Sequence, residues 1–178
     1  WATPTLTFRT PEAPLLQISE LVASNNATLQ TRVRQFPGGG LGPTLTPDWV
    51  EVRNLTDRPV DLNGFYLTDD RAVPLKWGFP AGTTIAANGF LVVMASDENI
   101  TNPVLDEFGY LHTNFKLTTG GEYLAIHVDD GAASTVHAYN PAYPEQITDI
   151  SYGIGDDELP HFYAEPTPGL ANTGVLNF

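Results

Sequence analysis

Apolar residues recur at every second position in short runs along most of this chain. In LLQISELVAS, Leu16, Ile18 and Val22 share one parity, and farther along Val50 and Val52 alternate with their neighbours. Alternation with a period of two residues indicates a β-strand with one buried face. No window of eleven or more residues has the i, i+3, i+4, i+7 apolar spacing of an amphipathic helix. The pattern therefore predicts an all-β protein.

Turn-forming residues separate the runs. The stretches TDRP, NG, PAG, ANG, TTGG, DDG and NPAYP lie between successive runs, and such combinations end strands. Eight or more short antiparallel strands predict a β-sandwich. The run GFLVVMAS is apolar at both parities, which predicts a central strand covered on both faces. The residues expected in the core include Val50, Val52, Leu91, Val93, Leu124, Ile126 and Val136.

One stretch breaks this rhythm. Residues 30–47 (QTRVRQFPGGGLGPTLTP) are rich in glycine and proline and contain two arginines and no acid. A connection of this length is usually functional or mobile. We expect it to lie at the surface and to be the internal segment most sensitive to proteases.

Length and composition indicate one globular domain. The chain has 178 residues, of which 42% are hydrophobic, enough to bury a core. We divide it into an extended linker or extra edge strand (1–14), a sandwich domain (15–172) and a C-terminal tail (173–178). Because Trp1 is not preceded by a Met or a basic leader region, we expect a mature part of a longer protein.

Charge narrows the range of partners. The net charge is −13, and residues 61–178 carry all of the excess of acids over bases. Such a surface repels phosphate backbones and anionic lipid headgroups, so we expect no nucleic acid partner. No run approaches the roughly 18 apolar residues needed to span a bilayer, so we expect no membrane insertion. The absence of cysteine excludes disulfides and thiolate chemistry and fits an exported bacterial protein, located outside the cell or on its surface.

Seven segments carry a resemblance to a known family. They are ISELVASN, DWVEVRN, DLNGFYLTDD, KWGFPAGTTIAANGFLVVMAS, LHTNFKLTTGGEYLAI, DISYGIG and PTPGLAN. Together they resemble bacterial lamin-tail domains, in that family's order. The resemblance implies an immunoglobulin-like antiparallel β-sandwich, found as one module of large secreted or surface proteins, and no catalytic residues.

Ten residues within or beside these segments are expected to be structural. They are Glu20, Asp48, Glu51, Asn54, Asp69, Gly121, Glu122, Pro168, Gly169 and Asn172. Glu20 falls on the apolar parity of its strand, where a carboxylate is costly unless it is paired. We expect a buried hydrogen-bonding role for Glu20; Arg53 as its partner, or a bulge at Ser19 that turns it outward, are the alternatives.

A predicted hairpin at residues 122–140 offers candidate binding residues. If Ile126 lies opposite Val136, Asp130, Gly131 and Ala132 form the loop, and two tyrosines and two histidines share one exposed face. These four residues are Tyr123, His127, His137 and Tyr139. Such a face suits sugar stacking or partner contact better than zinc, which needs three or four ligands.

Paired acids raise the question of calcium. Asp69 and Asp70 end one strand, and other acid pairs occupy three further turns. Calcium requires six to eight oxygens, whereas Asp is common in turns without any ion. We expect no cofactor, with a weak calcium site at Asp69 and Asp70 as the open alternative.

The expected function is that of a non-catalytic interaction or spacer module of a large exported multidomain protein. Its partners would be neighbouring domains of the parent chain or another surface protein. The alternative is a carbohydrate-binding module, with or without the support of calcium, that directs an attached enzyme to polysaccharide. An enzyme is the least favoured class, because no nucleophile motif and no Ser-His-Asp order stands out.

Overall fold

The computed structural model describes residues 15–177, and the regular secondary structure of this part of the chain is almost entirely β. The strands are β1 (Leu16–Val22), β2 (Asp48–Asn54), β3 (Val60–Asp61), β4 (Phe65–Thr68), β5 (Trp77–Gly78), β6 (Thr84–Ile85), β7 (Phe90–Ala95), β8 (Leu111–His112), β9 (Leu124–Val128), β10 (Ser134–Tyr139), β11 (Ser151–Ile154) and β12 (Pro160–Tyr163). One 3-10 turn at Pro103–Leu105 is the only helical element among the described residues. The predicted linker at 1–14 lies outside them.

The strands form a sandwich of two main sheets. One sheet has the order β12-β11-β1-β2-β7-β8 and the other the order β10-β9-β4-β5, while β3 and β6 form a small separate pair. All pairings are antiparallel except that of β7 with β8. The predicted immunoglobulin-like β-sandwich is confirmed.

The main core lies between the two sheets. Five of the seven predicted core residues are buried, namely Val50, Val52, Val93, Leu124 and Ile126. The other two, Leu91 and Val136, are partly buried and pack against the same cluster. The period-2 pattern therefore predicted the inner faces of β2, β7 and β9 correctly.

A second apolar cluster covers the outer face of the six-stranded sheet. Val22, Trp49 and Met94 are fully buried there, and Leu29 and Tyr110 pack against them. Val93 and Met94 thus belong to opposite faces of β7. This confirms that the doubly apolar run is a central strand covered on both sides.

A β-bulge in β1 changes the predicted parity of that strand. Ile18 pairs with Val52 and Glu20 with Glu51, so the register shifts by one residue at Ser19. A one-residue shift sends all later side chains to the opposite face. The expectation that Val22 and Glu20 share the inner face with Ile18 is therefore wrong, and the alternative of a bulge at Ser19 that turns Glu20 to the outer face is confirmed.

A second bulge changes the predicted hairpin of β9 and β10. Thr135 pairs with His127 as expected, but Ile126 pairs with His137 rather than with Val136. The extra residue lets both members of the bulge face the core. The loop is also longer than the expected three residues, because β9 ends at Val128 and β10 begins at Ser134.

The 30–47 segment folds back on itself as an irregular hairpin. Thr31 bridges to Leu45, Arg34 bridges to Leu41, and Val33 bridges to Asp106. Its tip is exposed, whereas Thr31 at its base is fully buried. We refer to this segment as the 30–47 hairpin. Its sensitivity to proteases stays a prediction.

Candidate functional site

A groove runs between the 30–47 hairpin and the segment 95–105. It consists of two adjoining cavities of about 340 and 640 Å³ that share Leu45 and Glu98. Ligand pockets commonly have volumes in this range. The apolar part of the lining is formed by Val33, Pro43, Leu45, Pro47, Ile100 and Leu105. We call this feature the hairpin groove.

A buried chain of hydrogen bonds connects the two walls of the hairpin groove. The Thr31 hydroxyl, on the hairpin, donates to Oδ2 of Asp106. The same oxygen lies 2.9 Å from Nε2 of His112, and Nδ1 of His112 lies 2.8 Å from Oγ of Ser96 on the opposite wall. All four residues are buried. We call this chain the Thr31–Ser96 network.

Asp106 organises this network as an ionised carboxylate. Burial would raise the pKa of Asp106, but hydrogen bonds from Thr31, His112 and the amides of Phe108 and Tyr110 together lower it. An ionised carboxylate only accepts hydrogen bonds, so Nε2–H of His112 donates to it. Nδ1 of His112 forms the remaining hydrogen bond of the network, to the Ser96 hydroxyl. The network therefore fixes the spacing of the two groove walls.

Hydrogen bonds link Ser96 to His112 and His112 to Asp106, so the three side chains are connected as serine, histidine and carboxylate are in a hydrolase triad. The sequence did not reveal this arrangement. His112, however, is fully buried, and the Asp106 oxygen is shared with Thr31. Oγ of Ser96 also accepts the Glu98 amide at 3.2 Å. These contacts occupy the groups that a nucleophilic serine and its base would need free.

Two carboxylates, Asp48 and Glu98, line the cavity at one end of the hairpin groove, and Glu98 also lines the adjoining cavity. Burial raises the pKa of Asp48 to about 6, although the Asn25 amide and the charge of Lys116 oppose the shift. In the described part of the chain, no Lys, Arg or His nitrogen lies within 4.0 Å of either carboxylate. This end of the groove therefore carries unpaired negative charge.

The predicted Tyr/His face does not exist as one surface. Tyr123 and His127 lie on the outer side of β9, with Oη of Tyr123 3.1 Å from Nε2 of His127. His137 and Tyr139 face the core instead, and both contact the backbone of Ile18. Burial lowers the pKa of His137 to about 4. The bulge in β10 is the reason, because it turns the second half of that strand over.

Glu20 and Glu51 lie under the C-terminal segment 165–172. Both oxygens of Glu20 accept the Thr167 amide, and Oε1 of Glu20 also accepts the Ser151 hydroxyl at 2.5 Å. Glu51 accepts the Gly169 amide and the Ser19 hydroxyl. Glu20 is thus a buried hydrogen bonder located beside a bulge, and its partners do not include Arg53.

Sequence comparison adds one finding to this geometry. The model of the family described as Lamin Tail Domain matches residues 9–141, well over half of the chain. The chain belongs to the lamin tail domain family. No curated protein matches it. The matched range ends before β11, β12 and the segment 165–172, which complete the six-stranded sheet and cover its outer face in this lamin tail domain.

Other residues expected to be structural in this lamin tail domain lie at turns. The Asn54 side chain donates to the carbonyls of Arg58, Ile85 and Ala86. Gly121 has a positive φ of 86°, and a Cβ there would collide with the Tyr143 carbonyl oxygen. The neighbouring Glu122 accepts the Thr118 amide and the Tyr143 hydroxyl.

Metal binding receives no geometric support in the part that is described. Among residues 15–177, no group of three or more His, Asp or Glu side chains is placed to hold an ion. Asp69 pairs with Lys76 at 2.6 Å, and Asp70 accepts the Ala72 amide.

Over residues 15–177, no helix has the length and hydrophobicity needed to cross a bilayer.

Only part of this site had a signal in the sequence. The unusual composition of 30–47 marked one wall of the hairpin groove. Asp106 and Ser96 had no such mark, because 75 positions separate Thr31 from Asp106 and 16 separate Ser96 from His112. Contacts of this kind follow from strand order, which local patterns do not determine.

Proposed function

We propose that this lamin tail domain is a non-catalytic interaction module of a large exported bacterial protein, and that it holds its partner in the hairpin groove. The partner belongs to a neighbouring domain of the parent chain or to another surface protein. The module acts outside the cell or on its surface, and it also spaces the domains around it.

The observation that carries this proposal is the linkage of the two groove walls. A binding site gains affinity when its walls are ordered before the partner arrives, because less conformational entropy is lost. The Thr31–Ser96 network orders the hairpin wall through Thr31 and the opposite wall through Ser96.

The test is a titration of the ¹⁵N-labelled chain with degenerate hexapeptide pools, followed by backbone amide NMR. We expect chemical shift changes at 33–35, 42–48 and 96–102. Thr101→Trp should abolish them, because Thr101 lines the groove and the larger side chain fills it. Thr135→Trp, at an exposed position on β10, is the matched control. Shift changes confined to other surfaces would overturn the proposal.

Carbohydrate binding is the second candidate function, and a different cavity favours it. A pocket of about 390 Å³ on the outer face of the six-stranded sheet is lined by Phe90, Phe108 and Tyr110. Phe108 is 61% exposed. Aromatic rings are the usual stacking partners of sugars. The originally expected residues support this function less, since His137 and Tyr139 face the core.

The two functions predict different NMR maps. Neutral hexasaccharides such as cellohexaose or xylohexaose should shift the amides of 90–92 and 108–110 if the outer pocket binds sugar. Phe108→Ala should then remove the response. Absence of any shift with neutral oligosaccharides would eliminate this second candidate and leave the hairpin groove unaffected.

A further inference from the structure

The charges around the hairpin groove are unevenly placed. Asp48 and Glu98 line the cavity at one end, Glu98 where that cavity meets the second one, and Lys116 is the only cationic side chain of the first lining. Arg34 lines the other cavity, and its Nη1 donates to the Gly39 carbonyl at 2.8 Å. Two carboxylates against one ammonium leave a negative charge at the first end. The chain as a whole strengthens it, with a net charge of −13.

The Asp48 carboxylate is partly buried, and its negative charge is poorly compensated by neighbouring groups. Its Oδ1 accepts the Asn25 amide at 3.3 Å, which is a long hydrogen bond. Lys116 and Glu122 act on it only through space, and their effects oppose each other. A buried carboxylate gains most from a cation that comes within hydrogen-bonding distance. The groove leads from solvent to this group.

The shape of the hairpin groove and the apolar part of its lining favour one class of cationic ligand. Two adjoining cavities that share Leu45 and Glu98 suit an extended chain better than a compact molecule. The lining supplies aliphatic side chains such as Val33, Leu45 and Ile100 for small apolar residues of such a chain. No aromatic ring lines either cavity, so a sugar would find no stacking surface.

We propose that the hairpin groove binds an extended peptide segment whose Lys or Arg side chain enters between Asp48 and Glu98. This inference rests on the proposed function and specifies its partner. Aliphatic residues of the same segment occupy the cavity beside Leu45 and Ile100. The acidic surface of residues 61–178 attracts the basic segment before it docks.

The test uses the full 178-residue chain and three fluorescein-labelled hexapeptide pools. Each pool is degenerate except at its third position, which is fixed as Lys, Gln or Glu. Fluorescence anisotropy should show the Lys pool binding about tenfold more tightly than the Gln pool, and the Glu pool binding most weakly. Rising salt should reduce the preference for Lys.

Variants that remove one negative charge then show which carboxylates cause the preference for the Lys pool. Asp48→Asn and Glu98→Gln should each reduce the difference between the Lys and Gln pools several-fold. Glu145→Gln removes the same charge at an exposed position outside the groove lining and should preserve the difference. Because Glu98 is exposed, its variant tests the proposal even if Asp48→Asn fails to fold.

The outcomes separate this inference from the proposed function. If the three pools bind equally and shift the groove amides, the inference of a basic partner is overturned, whereas the proposal that the groove is a binding site stands. A preference for the Glu pool would do the same and would assign recognition to Lys116 and Arg34. A preference for Lys that survives both groove variants would overturn the inference, and absence of binding to every pool would overturn both proposals.

Discussion

Glu20 and Glu51 lie opposite each other across the β1–β2 ladder, and both are fully buried. Two adjacent carboxylates are costly to ionise together. Burial raises the pKa of Glu20, and burial together with the nearby Glu20 raises the pKa of Glu51 to about 7. The amides of Thr167 and Gly169 oppose these shifts and attach the segment 165–172 to the sheet. The stability of this face therefore depends on pH near neutrality.

We predict that Glu51→Gln changes the pH dependence of stability. A carboxyl group whose folded pKa exceeds its unfolded value stabilises the fold at low pH and loses that contribution as the pH rises through the folded pKa. With a folded pKa of about 7 against 4.5, wild type should lose about 2 kcal/mol relative to Glu51→Gln between pH 5 and pH 8. Urea unfolding at several pH values measures this difference.

Wild type must be compared with the variant because the titration of His137 changes the free energy of unfolding with pH in the opposite direction. Its lowered pKa of about 4 makes the fold less stable as the pH falls below 6.5. That effect is common to wild type and Glu51→Gln and cancels in their difference. Glu145→Gln, at an exposed carboxylate, should parallel wild type at every pH. A flat difference for Glu51→Gln would contradict the assignment.

We predict that Asp106→Asn loosens the 30–47 hairpin. The amide replaces a carboxylate that accepts bonds from Thr31, His112 and two backbone amides, so at least one buried donor loses its acceptor. We expect a loss of about 2–4 kcal/mol of unfolding free energy. Limited proteolysis should cut the variant faster within 35–41.

Asp157→Asn is the control for this experiment, because Asp157 also bonds a histidine, His161, but at the surface. Solvent screens an exposed ion pair, so this variant should melt and digest almost as wild type does. Equal behaviour of the two variants would show that the Thr31–Ser96 network does not hold the hairpin.

We predict that Asn172→Ala releases the segment 165–172 from the sheet. The Asn172 side chain donates to the carbonyls of Ser19 and Ile154 at 2.8 and 2.9 Å, and it accepts the Thr167 hydroxyl. The loss should be about 2–3 kcal/mol, with faster hydrogen exchange at Thr167 and Gly169. Asn177→Ala, at an exposed site, should change neither quantity.

We predict that Ile126→Ala costs about 2–4 kcal/mol of unfolding free energy, because a cavity adds to the lost transfer energy of the side chain. Ile126 is fully buried in the main core. Val104→Ala, at a residue that is 61% exposed, should stay within about 0.5 kcal/mol of wild type. Thermal or urea unfolding of both variants decides whether the inner face of β9 has been identified correctly.

We predict that calcium raises the melting temperature no more than magnesium does at equal ionic strength. Asp69 and Asp70 already have protein partners in Lys76 and the Ala72 amide. A bound ion would stabilise the fold by about 2.7 kcal/mol at a hundredfold excess over its Kd. A calcium-selective shift that Asp69→Asn or Asp70→Asn abolishes would instead establish a metal site at the end of β4.

The sequence by itself determined the fold class and the inner faces of β2, β7 and β9. Alternation at Val50 and Val52 marks one buried face, and the doubly apolar run at 89–96 marks a strand covered on both sides, because burial acts on each residue according to its parity. These patterns are local, so they can be recognised without knowing which strands are neighbours.

Only the tertiary structure decided the positions of the two bulges and the contacts that depend on them. A bulge adds one residue to a strand without a compositional mark, yet it turned Glu20 outward and His137 inward. Strand order then brought Glu51 to Gly169 and Thr31 to Asp106 across 118 and 75 positions. The Thr31–Asp106 hydrogen bond anchors one wall of the hairpin groove, and its energy depends on a distance that the order of residues alone does not specify.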